Sequence, residues 1–444
     1  MGFLKSDHIS PQRIITAGFL LLILTGTILL MLPISTINGQ GTPFIDALFT
    51  ATSATCVTGL VVFNTANYFS FFGELVIIIL IQIGGMGVIT LAIMVAMSFR
   101  RRINFKTRWI MQESIAAPHL AGIVRITGFI VKTTLIIEAI GAVILIIAFI
   151  PSLGFSSIWT GIFTAISAFC NAGFDVFKES SSLTNYVGSG IINFVVMALI
   201  VVGGIGFMTW YDFKQYKFNL KKYRLQSKII LMTTAILIVL PTLYFFFYEF
   251  TQPQWAGMNL GERIWASLFA AITPRTAGFN TVDLTKLTDT SQGLTIILML
   301  IGGAPGSTAG GFKVTTIALI YLAIRSSFHH CENIPAFDRQ IPSNTLRPAV
   351  VILSLYLVAF LLGGSLISII DSLPLWPCLF ETASALGTVG LSLGITSGLS
   401  WISKLILIML MYFGRVGMLT LIYALPASKE MRLSHYPTED VTVG

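Results

Sequence analysis

Four short stretches each place a glycine behind a run of small and hydroxylated residues. They read TCVTGLVVF around Gly59, FCNAGFDVF around Gly173, PRTAGFNTV around Gly278 and LGTVGLSLG around Gly390. Successive glycines are 114, 105 and 112 residues apart. No carboxylate is common to the four, so what they share is backbone carbonyl, and glycine permits backbone angles that turn successive carbonyls the same way. Neutral carbonyl dipoles suit a monovalent cation stripped of water; a divalent ion asks for carboxylates. The competing use of glycine is close helix packing, and four equivalent positions favour the ion over it.

A second group with chemical potential lies further along. The stretch GGAPGSTAGGFK ends at Lys313, and Arg415 sits inside LILIMLMYFGRVGMLTLIYAL. A charge at the centre of a bilayer-spanning helix costs roughly 2.5–3.5 kcal/mol even on lenient scales. Lining up IQIGGMG (81–87), VVGGIGF (201–207), LIGGAPG (300–306) and YFGRVGM (412–418) puts Arg415 where the others have Gly85, Gly204 and Gly303. A positive charge there faces the path of a cation and serves as a gate. Loop carbonyls and the Ser307 and Thr308 hydroxyls can offset its burial; a structural ion pair, for example with Glu381, or a snorkelling side chain is the competing role. The glycine-rich stretch is no nucleotide-binding loop, because Phe312 and Lys313 stand where that pattern requires lysine and then serine or threonine.

The elements that must position these residues follow from composition. The 444-residue chain is 55% hydrophobic and 10% charged, with mean hydropathy +0.85, against about 25% charged in soluble domains. It is a membrane chain. Runs long enough to span fall near 13–33, 72–98, 126–150, 188–210, 228–248, 346–370 and 401–425. The run 293–324 is too long for one simple span, so a break is expected inside it. Between them lie 43–56, 157–170, 262–274 and 376–388, each about 13 residues and suited to re-entrant helices. The chain therefore reads as four units of span, short helix, glycine loop and span, with boundaries 1–100, 101–215, 216–330 and 331–444.

Lys and Arg settle orientation. Nineteen lie at the termini and in the joints between units, including Arg100, Arg101, Arg102, Lys221 and Lys222; five (Lys178, Arg263, Arg275, Lys286 and Lys404) lie on the opposite side. The positive-inside rule then puts both termini in the cytoplasm and the glycine loops outside. The same asymmetry accounts for the net charge of +8 without nucleic acid. No cleavable signal peptide is expected, because the first apolar run is too long. The four cysteines (Cys56, Cys170, Cys331 and Cys378) lack metal-ligand spacing. The five histidines fall in cytoplasmic stretches, so no convergent catalytic set supports an enzyme. Asp175 and Asp283 follow glycine loops and can draw cations to a mouth. Lys132 and Glu138 share a span without an assigned role. A coupled secondary carrier is the alternative class, but it predicts inverted or paired repeats, whereas these units share one orientation.

The VTGL, NAGF, TAGF and TVGL loops together with GGAPGSTAGGFK resemble the Trk/Ktr/HKT superfamily of potassium transporters, most of all the membrane subunits of bacterial Ktr systems, over nearly the whole chain. The resemblance implies an all-α membrane protein with eight transmembrane segments and four re-entrant loops around a pseudo-fourfold pore in the plasma membrane. It implies a filter built from Val57, Thr58, Gly59, Asn171, Ala172, Gly173, Thr276, Ala277, Gly278, Thr388, Val389 and Gly390. It further implies a gate built from Gly302, Gly303, Ala304, Pro305, Gly306, Ser307, Thr308, Ala309, Gly310, Gly311, Lys313 and Arg415. Glycine rather than serine at position 59 implies preference for K+ as the transported ion. The expected partners are a second copy of the chain in a homodimer, the lipid bilayer, and a cytosolic RCK-type ring that carries the regulatory nucleotide, with Na+ as an activator.

Overall fold

The computed structural model describes residues 11–87, 105–115, 122–178, 182–329, 333–418 and 420–421. Expectations for Lys5, the 100–102 arginines, Lys429, Arg432, Cys331, His8, His119, His330 and His435 lie outside those residues. So do the two termini and the boundary expected at 100/101.

Helices carry the fold. α1 (Pro11–Met31) leads to the short α2 (Phe44–Cys56) and then α3 (Phe71–Met86). α4 (Phe105–Ser114) precedes α5 (Ile123–Leu153), the short α6 (Ser157–Cys170), α7 (Gly190–Gly204) and α8 (Phe207–Tyr216). Next come α9 (Leu225–Phe247), the short α10 (Leu260–Ile272), α11 (Asp289–Leu300) and α12 (Val314–Phe328). The last set is α13 (Leu346–Asp371), the short α14 (Leu375–Gly387) and α15 (Trp401–Val416). One small hairpin departs from the all-helical expectation. Its strands β1 (Ile334–Ala336) and β2 (Arg339–Ile341) pair antiparallel, Ile334 with Ile341, around Phe337 and Asp338. Both of these have positive φ, as a two-residue hairpin turn requires.

Local sequence explains the helix ends. Ser70, Thr288 and Ser400 accept from the backbone N–H groups of Gly73, Ser291 and Ser403, capping α3, α11 and α15. α10 starts with a full capping box, Asn259 with Glu262. α5 stops where Gly154 turns to φ +55.

The long stretches Pro11–Met31, Ile123–Cys170, Leu225–Thr251 and Ser343–Asp371 contain helix long and apolar enough to cross a bilayer. They turn Leu21, Ile147, Leu240 and Leu362 outward, as lipid-facing surface does. The bent pair of α7 and α8 makes a fifth candidate. The structure corrects the run 188–210, which is not one continuous span: α7 and α8 meet at 96°. Gly206 stands at the corner with φ 90 and ψ 136. Gly87 (φ 85, ψ 127) ends α3 and Gly417 (φ 90, ψ 128) ends α15 in nearly the same conformation. These backbone angles are open to glycine and strained for any residue with a Cβ. In the third set the corresponding position is Pro305, and the chain leaves the helix earlier, at Ile301. The break expected only within 293–324 is therefore one version of a break that recurs.

The short helices tie neighbouring sets together. Trp159 of α6 donates to Glu74 of α3 at 2.6 Å, and Trp376 of α14 donates to Gln292 of α11 at 2.8 Å. Trp265 of α10 lies close over Gly190 at the start of α7. The remaining joint uses charge: Lys404 of α15 pairs with Asp46 of α2 at 2.7 Å, both largely buried. Tyr412 of α15 adds a hydrogen bond to the Thr16 carbonyl of α1 at 2.8 Å.

Candidate functional site

Each of the four short helices leads into a loop with the same pair of left-handed residues, directly at the helix end in α2, α6 and α14 and three residues later in α10. Val57 (φ 59), Asn171 (φ 61), Thr276 (φ 70) and Thr388 (φ 52) are left-handed, and two residues later Gly59 (φ +93), Gly173 (φ +67), Gly278 (φ +79) and Gly390 (φ +95) are left-handed again. Repeating this pattern gives the four loops a common pair of left-handed positions. Side-chain hydroxyls from the helix ends fasten it. Ser53 accepts from the Gly59 N–H at 3.1 Å, and Ser384 accepts from the Gly390 N–H at 3.0 Å. Ser167 donates to the Phe174 carbonyl at 2.7 Å, and Thr273 donates to the Phe279 carbonyl. The sequence reading missed these hydroxyls. Their signal was a serine six residues before the glycine in three loops, replaced by a threonine at five in the third.

The glycines form a closed ring. A Cβ on Gly59 would lie 2.4 Å from the Ala172 carbonyl oxygen; one on Gly173 would lie 2.8 Å from that of Ala277. One on Gly278 would lie 2.4 Å from the Val389 oxygen, and one on Gly390 would lie 2.3 Å from the Thr58 oxygen. Each loop thus abuts the next, and the fourth returns to the first. The twelve residues read as a filter are all brought together here. Thr58, Asn171, Ala172, Thr276, Ala277, Thr388 and Val389 are buried, so the loops are supported by protein on their outer side. The short helices direct their C-termini, the negative end of the helix dipole, toward the ring.

Above the ring opens a vestibule of about 510 Å³ lined by all four glycines, Asp175, Lys178, Ser392 and Thr396. Asp175 is where the sequence reading wanted an acid. Asp283 does not line the vestibule; it caps a turn at Thr285 and lies 4.0 Å from Lys286.

Residues 301–313 pack against the opposite side of the ring. The hydroxyl of Thr308 donates to the Phe169 carbonyl at the end of α6 at 3.1 Å, and Gly310 lies against Thr388 so closely that a Cβ there would sit 2.0 Å from its hydroxyl. The loop is bonded to α7 as well: Ala304 N–H donates to Gly204 O at 2.9 Å and Thr308 N–H to Gly203 O at 3.3 Å. Lys313 folds back on the loop and donates to the Ala309 and Gly310 carbonyls at 2.9 and 3.2 Å.

Arg415 completes the layer. Its guanidinium donates to the Thr308 carbonyl of the loop on one arm. The other arm donates to the Gly84 and Gly85 carbonyls at the end of α3, at 2.5 and 3.0 Å. Arg415 belongs to none of the ion pairs among the described residues. The alternative partner Glu381 is instead hydrogen bonded by Thr396. Backbone carbonyls, rather than the Ser307 and Thr308 hydroxyls, carry the offset for burying this charge. Glu138 is buried and receives the Gln82 side-chain amide on both oxygens at 3.0 Å, whereas Lys132 on the same helix is exposed.

The leading glycines of the aligned second segments do pack closely. A Cβ on Gly84, Gly203 or Gly414 would fall 1.9, 2.1 or 2.2 Å from the carbonyl of Thr55, Phe169 or Leu386 at the end of a short helix. Close packing is thus the right reading for those glycines, and a closed ring describes the four in the loops.

The family described as "TrkH: Cation transport protein" matches residues 8–432. The chain is 37% identical over 98% of its length to the potassium/sodium uptake protein NtpJ of Enterococcus hirae, covering 98% of that protein. It is also 37% identical to the Ktr system potassium uptake protein B of Bacillus subtilis, over 99% of this chain and 98% of that one. Its fold is similar to that of the potassium transporter TrkH from Vibrio parahaemolyticus, with TM-score 0.72 and 20% identity, over 95% of this chain and 86% of that one. With the family matched along almost its whole length, the chain belongs to the TrkH family of cation transport proteins, which are transporters and not enzymes.

Proposed function

We propose that this chain is the potassium-translocating membrane subunit of an uptake system. Four pseudo-repeats, each of two spans and a re-entrant loop, surround one pore, giving eight spans in a plasma membrane with both termini cytoplasmic. The observation that carries the reading is the closed ring of four left-handed glycines, each against the carbonyl of the next loop. Such a ring replaces a cation's hydration shell with neutral dipoles, and the residues read as a filter all lie in it. The loop 302–313, held by Lys313 and Arg415, acts as the gate beneath it. Relatives named as part of a Ktr system support a multi-component system; in this reading its other member is a cytosolic RCK-type regulatory subunit that carries the nucleotide, the membrane subunit is a homodimer, and Na+ is an activator.

The test is potassium uptake by a deficient host expressing the chain, with and without a candidate regulator. Deleting residues 304–310 is expected to raise flux several-fold and to remove most of the regulator's effect, because the obstruction is shortened. Inserted protein with lower flux than wild type would make the loop structural. Uptake strictly proportional to a proton or sodium gradient, rather than to the potassium gradient, would instead favour a coupled carrier.

Asp175 supplies a pH dependence. Burial pushes its carboxyl up to about 7, against the lowering effect of the Phe177 N–H that it accepts at 3.3 Å. As external pH falls through that value the group takes up a proton and the vestibule loses negative charge. Uptake from dilute potassium is expected to drop about two- to threefold between about pH 8 and about pH 6. The profile should flatten in Asp175→Asn; an unaltered profile in that variant rules the group out.

A further inference from the structure

Buried carboxylates in this protein are generally supplied with donors. Glu249 is bonded by Trp255, Thr288 and Ser291, Asp212 by Arg224 and Ser227, Glu138 by Gln82 and Glu74 by Trp159. Glu381 is the exception. It lies on the filter helix α14 with no exposed surface; the Thr396 hydroxyl donates to Oε1, the Ser392 hydroxyl stands close enough to act on the carboxylate, and Oε2 is the one buried carboxylate oxygen that receives no hydrogen bond among the described residues. A buried acceptor without a donor is costly, and a charged one more so. No cation faces it: Lys404 is paired with Asp46 and Arg415 with backbone carbonyls, and neither bonds to Glu381 among the described residues.

Two hydroxyls separate this carboxylate from the vestibule. Ser392 and Thr396 both line the vestibule and stand 3.1 Å from each other, and Thr396 donates to Glu381. We propose that Glu381, Ser392 and Thr396 form an accessory site for a dehydrated monovalent cation, entered from the vestibule and separate from the glycine ring. One carboxylate with two hydroxyls supplies hard oxygen ligands. A single positive charge neutralises the site, whereas a divalent ion would leave net charge buried. Asp371, the other acid near Cys378, is occupied by the Ser400 backbone N–H at 3.3 Å. The assignment rests on the functional reading only in taking the vestibule as cation-accessible.

The test is a binding measurement on the purified full chain in detergent. Thermal unfolding is followed by tryptophan fluorescence during titration with NaCl or KCl, with choline chloride holding ionic strength constant. Wild type should gain a saturable rise in Tm, part of which disappears in Glu381→Gln. Ser392→Ala and Thr396→Val should raise the half-saturating concentration tenfold or more, and they carry the test if the Glu381 variant does not fold. The response contributed by the ring, which is all backbone, should persist in every variant. Titrations identical to wild type in the hydroxyl and Glu381 variants overturn the proposal. So does a Glu381-dependent Tm that responds to pH but to neither cation, since the carboxyl then holds a proton. Binding is read without transport, so absent uptake would count against the functional reading and leave this site standing.

Discussion

Replacing Gly59 with serine is expected to lower the ratio of potassium to sodium uptake by tenfold or more. The position tolerates no Cβ in its present geometry, because that atom would meet the Ala172 carbonyl oxygen at 2.4 Å and the Gly173 Cα at 3.1 Å. Both contacts are backbone, so neither can swing aside as a side chain would. With φ at +93, a side chain also strains the residue itself by roughly 1–2 kcal/mol or more. Relief must come from displacing the loop, and the loop carries the carbonyls. A differential loss of about 1.4 kcal/mol between the two ions is a tenfold change in preference. Gly278→Ser should behave similarly, its Cβ falling 2.4 Å from the Val389 oxygen. Paired potassium and sodium uptake per inserted molecule is the measurement, and an unchanged ratio for serine at all four glycines would sink the filter assignment.

Arg415→Ala is expected to raise potassium flux about tenfold while leaving the ion preference close to wild type. Two effects add. The variant removes a positive charge from the cation's path; at an effective dielectric of about 20, unit charges 4 Å apart repel by roughly 4 kcal/mol, less with water between them. It also unfastens the loop, whose Thr308 carbonyl and the Gly84 and Gly85 carbonyls share one guanidinium. No buried acid is stranded, so expression should survive. Lysine keeps the charge but cannot bridge loop and helix with a planar fork; Arg415→Lys should therefore fall between wild type and alanine. Reduced flux from normally inserted Arg415→Ala would show that the guanidinium shapes the pore rather than closing it.

The glycine ring was legible because it depends on backbone, and backbone demands of this kind can be met only by one residue type. The same holds for the interrupted segment at 301–313, where five glycines and a proline exclude a continuous helix. The shared backbone angles at Gly87, Gly206 and Gly417 were harder to see. Each is a single glycine in an apolar run, and hydropathy averages over it; only the nearly equal φ and ψ values reveal them as one device. The partners of Arg415 were legible only in part: the alignment put loop carbonyls within its reach, as the Thr308 bond bears out, whereas the Gly84 and Gly85 carbonyls come from a helix end far away in sequence. Asp283 shows the reverse failure: its place after a glycine resembles that of Asp175, but Thr285 two residues on gives it a turn to cap.

The ion pair between Lys404 and Asp46 marks where the ring has no covalent continuity. Elsewhere around the circle, one set of helices continues into the next through peptide bonds. At this joint the last described long helix packs on the first short one and is held to it by a largely buried charge pair, with the Tyr412 hydrogen bond to α1 beside it. A split washer keeps its bore only while its cut ends are held together. The Gly59 and Gly390 loops on either side of the cut touch directly, and side chains more than ten residues away from either glycine steady that contact, so the ring has an adjustment point outside itself.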